Sequence, residues 1–200
     1  MSFNFKNLKS EKGQSLVEMT IAIAIILTGL MGALALTVSN LSGVGEAGTR
    51  VVASNLAKEG IDVARNIRDT NWLENNVWDN RLSSGDFTAI AIFKPAANEW
   101  SLDFSPSSIF DAAAKLYRDE NNLYLQDTAP PVGTATLYSR LITLDPICLN
   151  TATKIETISG NPCGGGEEEK TGIRVKSEVT WTESGRSHSL VLEDRLYNWK

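Results

Sequence analysis

From Leu16 to Val38 the chain is almost wholly apolar, and the one charge inside that stretch is Glu18. At a rise of 1.5 Å per residue the run makes roughly 35 Å of helix, enough to cross a hydrocarbon layer of about 30 Å. No other stretch restricts the possible folds as much. A carboxylate near the start of such a span is expensive in lipid, so it calls for a partner. Lys6, Lys9 and Lys12 lie just before the span. Basic flanks of this kind keep an N-terminus on the cytoplasmic side.

Three anchoring readings compete. A secretory signal peptide would be cut after its apolar region, at a small-x-small site. The run here is longer than a usual signal core, and no convincing Ala-x-Ala follows Leu36. A plain signal anchor accounts for the lysines and the span but not for an acid within it. The third reading comes from Lys12-Gly13-Gln14-Ser15-Leu16-Val17-Glu18. A short basic leader ending in Gly, followed by an apolar helix with Glu at its fifth position, resembles the class III signal of type IV pilins and pseudopilins. The family more often carries Phe or another apolar residue where Gln14 stands.

That resemblance implies several things. A prepilin peptidase would cut between Gly13 and Gln14, and the new α-amine of Gln14 would be N-methylated. Glu18 would act in filament assembly by pairing with that amine, on its own chain or a neighbour's. Both charges are costly in lipid, and pairing relieves both penalties. A head-to-tail contact repeated with a rise generates a fibre rather than a closed ring. The implied partners are the peptidase, other pilins or pseudopilins, the inner-membrane assembly platform and the cytoplasmic membrane. The implied location is single-pass in that membrane, head outside, and later a surface or periplasmic filament. The fold implied is α+β and type IV pilin-like: a long N-terminal helix, membrane-spanning in its first half, packed in its second on an antiparallel sheet.

The chain divides accordingly into a leader (1–13), an apolar helix (14–41), an amphipathic continuation (42–71) and a globular head (72–200). Gly29, Gly32 and Ala33 are small enough to let a second helix approach, or are simply tolerated in a membrane helix. Gly43, Gly45 and Gly48 are poor helix material, so 42–48 is expected to bend, fray or hinge. Beyond it Val52, Leu56, Val63 and Ile67 form an apolar ridge beside a strip of small residues, Ala53, Ala57, Gly60 and Ala64. Lys58 with Asp62, and Arg65 with Asp69, are spaced as i,i+4 ion pairs. The helix is expected to end near Thr70, and 56–69 is also similar to minor pilin-like proteins.

In the head, Trp72, Val77 and Trp78 are expected in an irregular connection. Strands are expected at 87–93 and 99–104 around a turn at 95–98, and a short hairpin at 112–117 and 122–126. Ala129-Pro130-Pro131 breaks the chain before a strand at 136–144. A loop from Pro146 to Thr171 is expected to hold Cys148, Cys163 and the acidic run Glu167 to Glu169. Ile173, Val175, Val179 and Trp181 alternate with polar residues, the pattern of a half-buried strand. The turn at 182–186 returns it as a second strand at 188–195 with Leu190 and Leu192 on one face.

Net charge is −5; removing the leader, whose Lys6, Lys9, Lys12 and Glu11 sum to +2, leaves −7. An acidic head argues against broad nucleic-acid binding, which needs a basic footprint. Cys148 and Cys163 lie on the disulfide-permissive side, where a bridge would close a loop worth about 3 kcal/mol; two free thiols remain the alternative. His188 is the only histidine, so two thiolates lack the further ligands of a structural zinc site. No nucleophile and base can be paired, and no phosphate loop or calcium loop is spaced correctly. Neither an enzyme, a metal nor a cofactor is expected. The function expected is structural: a minor pilin or pseudopilin of a type IV pilus or type II secretion-like filament. The alternative is a membrane-anchored binding or adhesion domain that never polymerises.

Overall fold

The computed structural model describes residues 14–83, 85–95, 97–128 and 133–199. The expected leader, with Gly13 at its cut, and the break at Ala129-Pro130-Pro131 lie outside the described residues. Helix α1 spans Gln14–Leu73. Contacts divide the chain into two compact units, Met1–Ala47 and Gly48–Lys200, and α1 contributes to both.

The glycines at 43, 45 and 48 do not interrupt α1, contrary to the expected bend or frayed turn. Each glycine costs about 1 kcal/mol relative to alanine. Extending an existing helix adds one hydrogen bond per residue fixed, whereas restarting one after a break requires a new nucleus. With strong helix-forming sequence on both sides, continuity wins. The helix also runs past Thr70 and takes in Trp72, which sequence reasoning had assigned to the connection.

Within the second unit, the α1 residues from Gly48 onward lay their small and apolar face on an antiparallel sheet. Ala53, Leu56, Ala57, Val63, Ala64 and Ile67 are all buried. At Gly60 an added Cβ would stand 2.6 Å from Ser177 Oγ and 3.3 Å from Ile142. Only glycine admits that approach. The expected i,i+4 ion pairs are replaced: Asp62 meets Arg65 and Asp69 meets Arg68, while Arg65 also reaches Asp194. A partner on the sheet redirects Arg65 away from Asp69.

The sheet is built around β5 (Thr134–Asn150). One edge of β5 pairs along most of its length with β7 (Glu168–Glu183), which pairs with β8 (Arg186–Tyr197). The other edge is shared by three shorter strands: β3 (Lys115–Arg118), β1 (Thr88–Lys94) and β6 (Glu156–Ile158). β2 (Glu99–Asp103) extends β1, and β4 (Tyr124–Leu125) extends β3. A short 3₁₀ turn, Ala112–Ala114, precedes β3.

Two expected boundaries move. β5 does not stop at Leu144 but continues through Pro146 to Asn150, so Cys148 sits on a strand. The Pro146 carbonyl accepts from Ser159 N at 3.0 Å on the side away from β7. Its ring nitrogen therefore faces the gap between β1 and β6, where no ladder bond is lost. The acidic run is likewise only partly loop, since Glu168 and Glu169 open β7. The β7–β8 turn is the two-residue kind, with Ser184 at φ 50° and Gly185 at φ 76°. Positive φ at both centres matches the twist of a tight hairpin.

Candidate functional site

The exposed length of α1 is the first candidate. Between Leu16 and Leu41 its large apolar side chains range from 46% exposed at Ile23 to 69% at Met31. The helix contains an 18-residue window of mean hydropathy 2.5, none of it buried. Each such side chain left in water forgoes about 1.5–3 kcal/mol of burial. Exposed surface this apolar and continuous is the kind that marks membrane or partner contact. By length and composition this helix can cross a membrane.

Its polar groups are few and unequally treated. From Leu16 to Val38 the polar side chains are Glu18, Thr20, Thr28 and Thr37. Thr20 donates to Val17 O at 2.8 Å, Thr28 to Ala24 O and Ile25 O, and Thr37 to Ala33 O at 2.9 Å. Each hydroxyl thus returns to a carbonyl three or four residues back and presents no unmet donor to its surroundings. Glu18, exposed on the second turn of α1, has no ion pair or hydrogen bond among the described residues. It follows Gln14, where α1 begins, by four residues. An added Cβ at Gly29 or Gly32 meets nothing within 4 Å, so neither glycine answers to packing inside this chain.

The second unit holds a different polar site, which sequence reasoning missed. Arg140 on β5 is fully buried beneath α1. Its Nη1 donates to Leu56 O at 3.0 Å and to Glu59 Oε1 at 3.2 Å, and its Nε to Gln126 Oε1 at 3.0 Å. Gln126 in turn donates to Ala114 O and Arg140 O, both at 2.8 Å. Burial pushes the guanidinium pKa down from its ordinary value, and the Glu59 carboxylate opposes that shift. The arrangement bolts helix, central strand and the β4–β5 connection together. Strand parity was the available signal, because Arg140 falls on the same face as Tyr138, Ile142 and Leu144.

Cys148 and Cys163 are joined by a disulfide with Cα atoms 5.6 Å apart, fastening the β6–β7 connection to β5. Beside it Lys170 pairs with Asp79 at 2.6 Å and lies 5.5 Å from the Trp78 ring centre. His188 is half-buried and stacks on Trp181 at 5.3 Å. Among the described residues, no three His, Cys, Asp or Glu side chains are grouped to hold a metal ion. The structure brings the two cysteines together and places Glu18 in the other unit; Gly13 lies outside the described residues. Comparison with family models, with curated proteins and with solved structures finds no match to this chain.

Proposed function

We propose that this chain is a structural subunit of a type IV pilin-like filament, either a minor pilin or a pseudopilin of a secretion-type fibre. The observation that carries the reading is the treatment of polar groups along the apolar part of α1: three threonines bonded to their own backbone, and one carboxylate left open. A single anchor has no use for that exception. A helix that must find a neighbour's positive chain end does, because the pairing removes the cost of burying either charge alone. In this reading a prepilin peptidase cuts after Gly13, Gln14 carries the free or methylated amine, and Glu18 sets the register between subunits. The head remains outside the cytoplasmic membrane, and an assembly platform draws the helix out of the lipid. The packing of the second half of α1 on an antiparallel sheet supports the same reading, as does the open space around Gly29 and Gly32.

N-terminal sequencing of protein extracted from membranes is the direct test. The expected first residue is Gln14, with or without a methyl group. A protein that still begins at Met1 would instead be an anchored domain. Glu18→Ala is expected to abolish incorporation into filaments while leaving membrane insertion and head folding intact. Normal incorporation of that variant would remove the basis of the proposal.

A further inference from the structure

On the face of the sheet opposite α1, a cleft of about 630 Å³ opens across β3, β5, β7 and β8. Its volume falls in the range of small-molecule sites, about 300–1,000 Å³. The floor is a cross-strand row in register: Lys115 opposite Ser139, Ser139 opposite Thr180, Thr180 opposite Ser189. Thr182 and Ser187 form a second hydroxyl pair alongside. Among the described residues, none of these five hydroxyls has a hydrogen-bond partner, whereas Thr88, Thr136 and Thr151 elsewhere in the head are bonded to backbone carbonyls.

One wall of the cleft carries Phe110, 90% exposed. The loop that displays it is rigidly tied. The Asp111 carboxylate accepts from Ser107 N at 2.8 Å and Ser108 N at 2.9 Å, and Phe110 N donates to Ser108 Oγ at 3.2 Å. The backbone that carries the ring is thus fixed before any ligand arrives, which lowers the entropy lost on binding.

We propose that this cleft binds a short saccharide. A hydroxyl both donates and accepts, so a floor of hydroxyls is matched best by a ligand whose own groups do the same. The ring of Phe110 supplies an apolar plane for the C–H face of a pyranose, and Lys115 supplies a donor at the end of the row. The backbone groups of β5 and β7 in the floor are already spent in their ladders, so an extended peptide lying in the cleft would find no main chain there to pair with; only the outer edge of β8 is open. The Asp111 carboxylate already accepts two loop amides through Oδ2, and one lysine in a chain of charge −5 is no footprint for nucleic acid. The cleft lies wholly in the second unit, so the inference holds whether or not the chain polymerises.

The test uses the full chain in a detergent without a sugar headgroup. Saturation-transfer NMR and calorimetry with maltotriose, cellotriose and triacetylchitotriose at millimolar concentration are expected to show one-site binding of at least one of them. Phe110→Ala, at a position too exposed to disturb folding, is expected to weaken it about tenfold. Thr180→Val, which keeps shape and removes the central hydroxyl, should weaken it several-fold, and Glu18→Ala should leave it unchanged. Silence from all three sugars overturns the proposal. So does binding that both cleft variants retain in full, or equal binding of a Ser-Gly-Ser tripeptide.

Discussion

Gly60 and Gly29 belong to the same helix and answer to different neighbours. At Gly60 the chain's own sheet stands so close that a single methyl group would collide with Ser177 and press on Ile142. At Gly29 and Gly32 the space is open. The contrast extends to polar groups. From Gly48 to Leu73 several reach across to the sheet, as Arg65 does to Asp194 and Leu56 O does to Arg140. From Leu16 to Val38 they turn back on the helix itself, apart from Glu18. One half of α1 is therefore explained by its fold. The other half is explained only by what surrounds it.

The largest expected effect lies at Arg140. Arg140→Ala leaves Glu59 and two buried carbonyl or amide acceptors without their cation, and is expected to destabilise the head by about 3–5 kcal/mol. Urea unfolding followed by tryptophan fluorescence reads this directly, and a loss below 1 kcal/mol would mean that the network is not what holds helix to sheet. Next comes the disulfide. Cys163→Ser frees the β6–β7 connection and should lower stability by about 3 kcal/mol, with unfolding becoming insensitive to reductant.

The glycines then sharpen the comparison, because the same substitution should have opposite signs. Gly60→Ala is expected to cost the head about 1–3 kcal/mol by overpacking. Gly29→Ala should stabilise the isolated helix by up to about 1 kcal/mol. Adding Ser177→Ala to Gly60→Ala should restore part of the loss, since it removes the nearest atom, a buried hydroxyl without a hydrogen-bond partner among the described residues. Equal effects of the two alanines in thermal melts would erase the distinction between the halves.

The smallest expected effect is a pH dependence. Burial raises the pKa of Tyr138, whose hydroxyl donates to Thr49 O at 3.1 Å. An unfolded tyrosine releases its proton near pH 10, before the folded one does. The stabilising contribution is thus complete below about pH 10 and is lost as pH rises through the folded value. Tyr138→Phe should flatten that alkaline slope in unfolding titrations.

Much of the fold was legible because its signals are local. The alternation of Ile173, Val175, Val179 and Trp181 marked β7, and the ridge and small-residue strip marked the buried face of α1. What escaped depends on distant partners. Pro146 looked like the end of a strand because its tolerance rests on β1 ending and β6 beginning elsewhere in sequence. Arg140 drew no notice in its strand because Glu59 and Gln126 are brought to it only by the fold. The glycines at 43–48 looked like a break because propensity counts residues singly, while a helix already formed needs only to continue. The cleft under Phe110 left no mark in the sequence, since Ser139, Thr180 and Ser189 become neighbours only once three strands are in register.

The threonines of the apolar helix carry one more consequence. By tucking each hydroxyl into its own backbone, Thr20, Thr28 and Thr37 leave an approaching helix no lateral polar handle to grasp. In the proposed filament, recognition along that length would rest on contour, with the notches at Gly29 and Gly32, plus one acid near the start. In that filament such a surface would be permissive about who lies beside it and strict about how far along they lie.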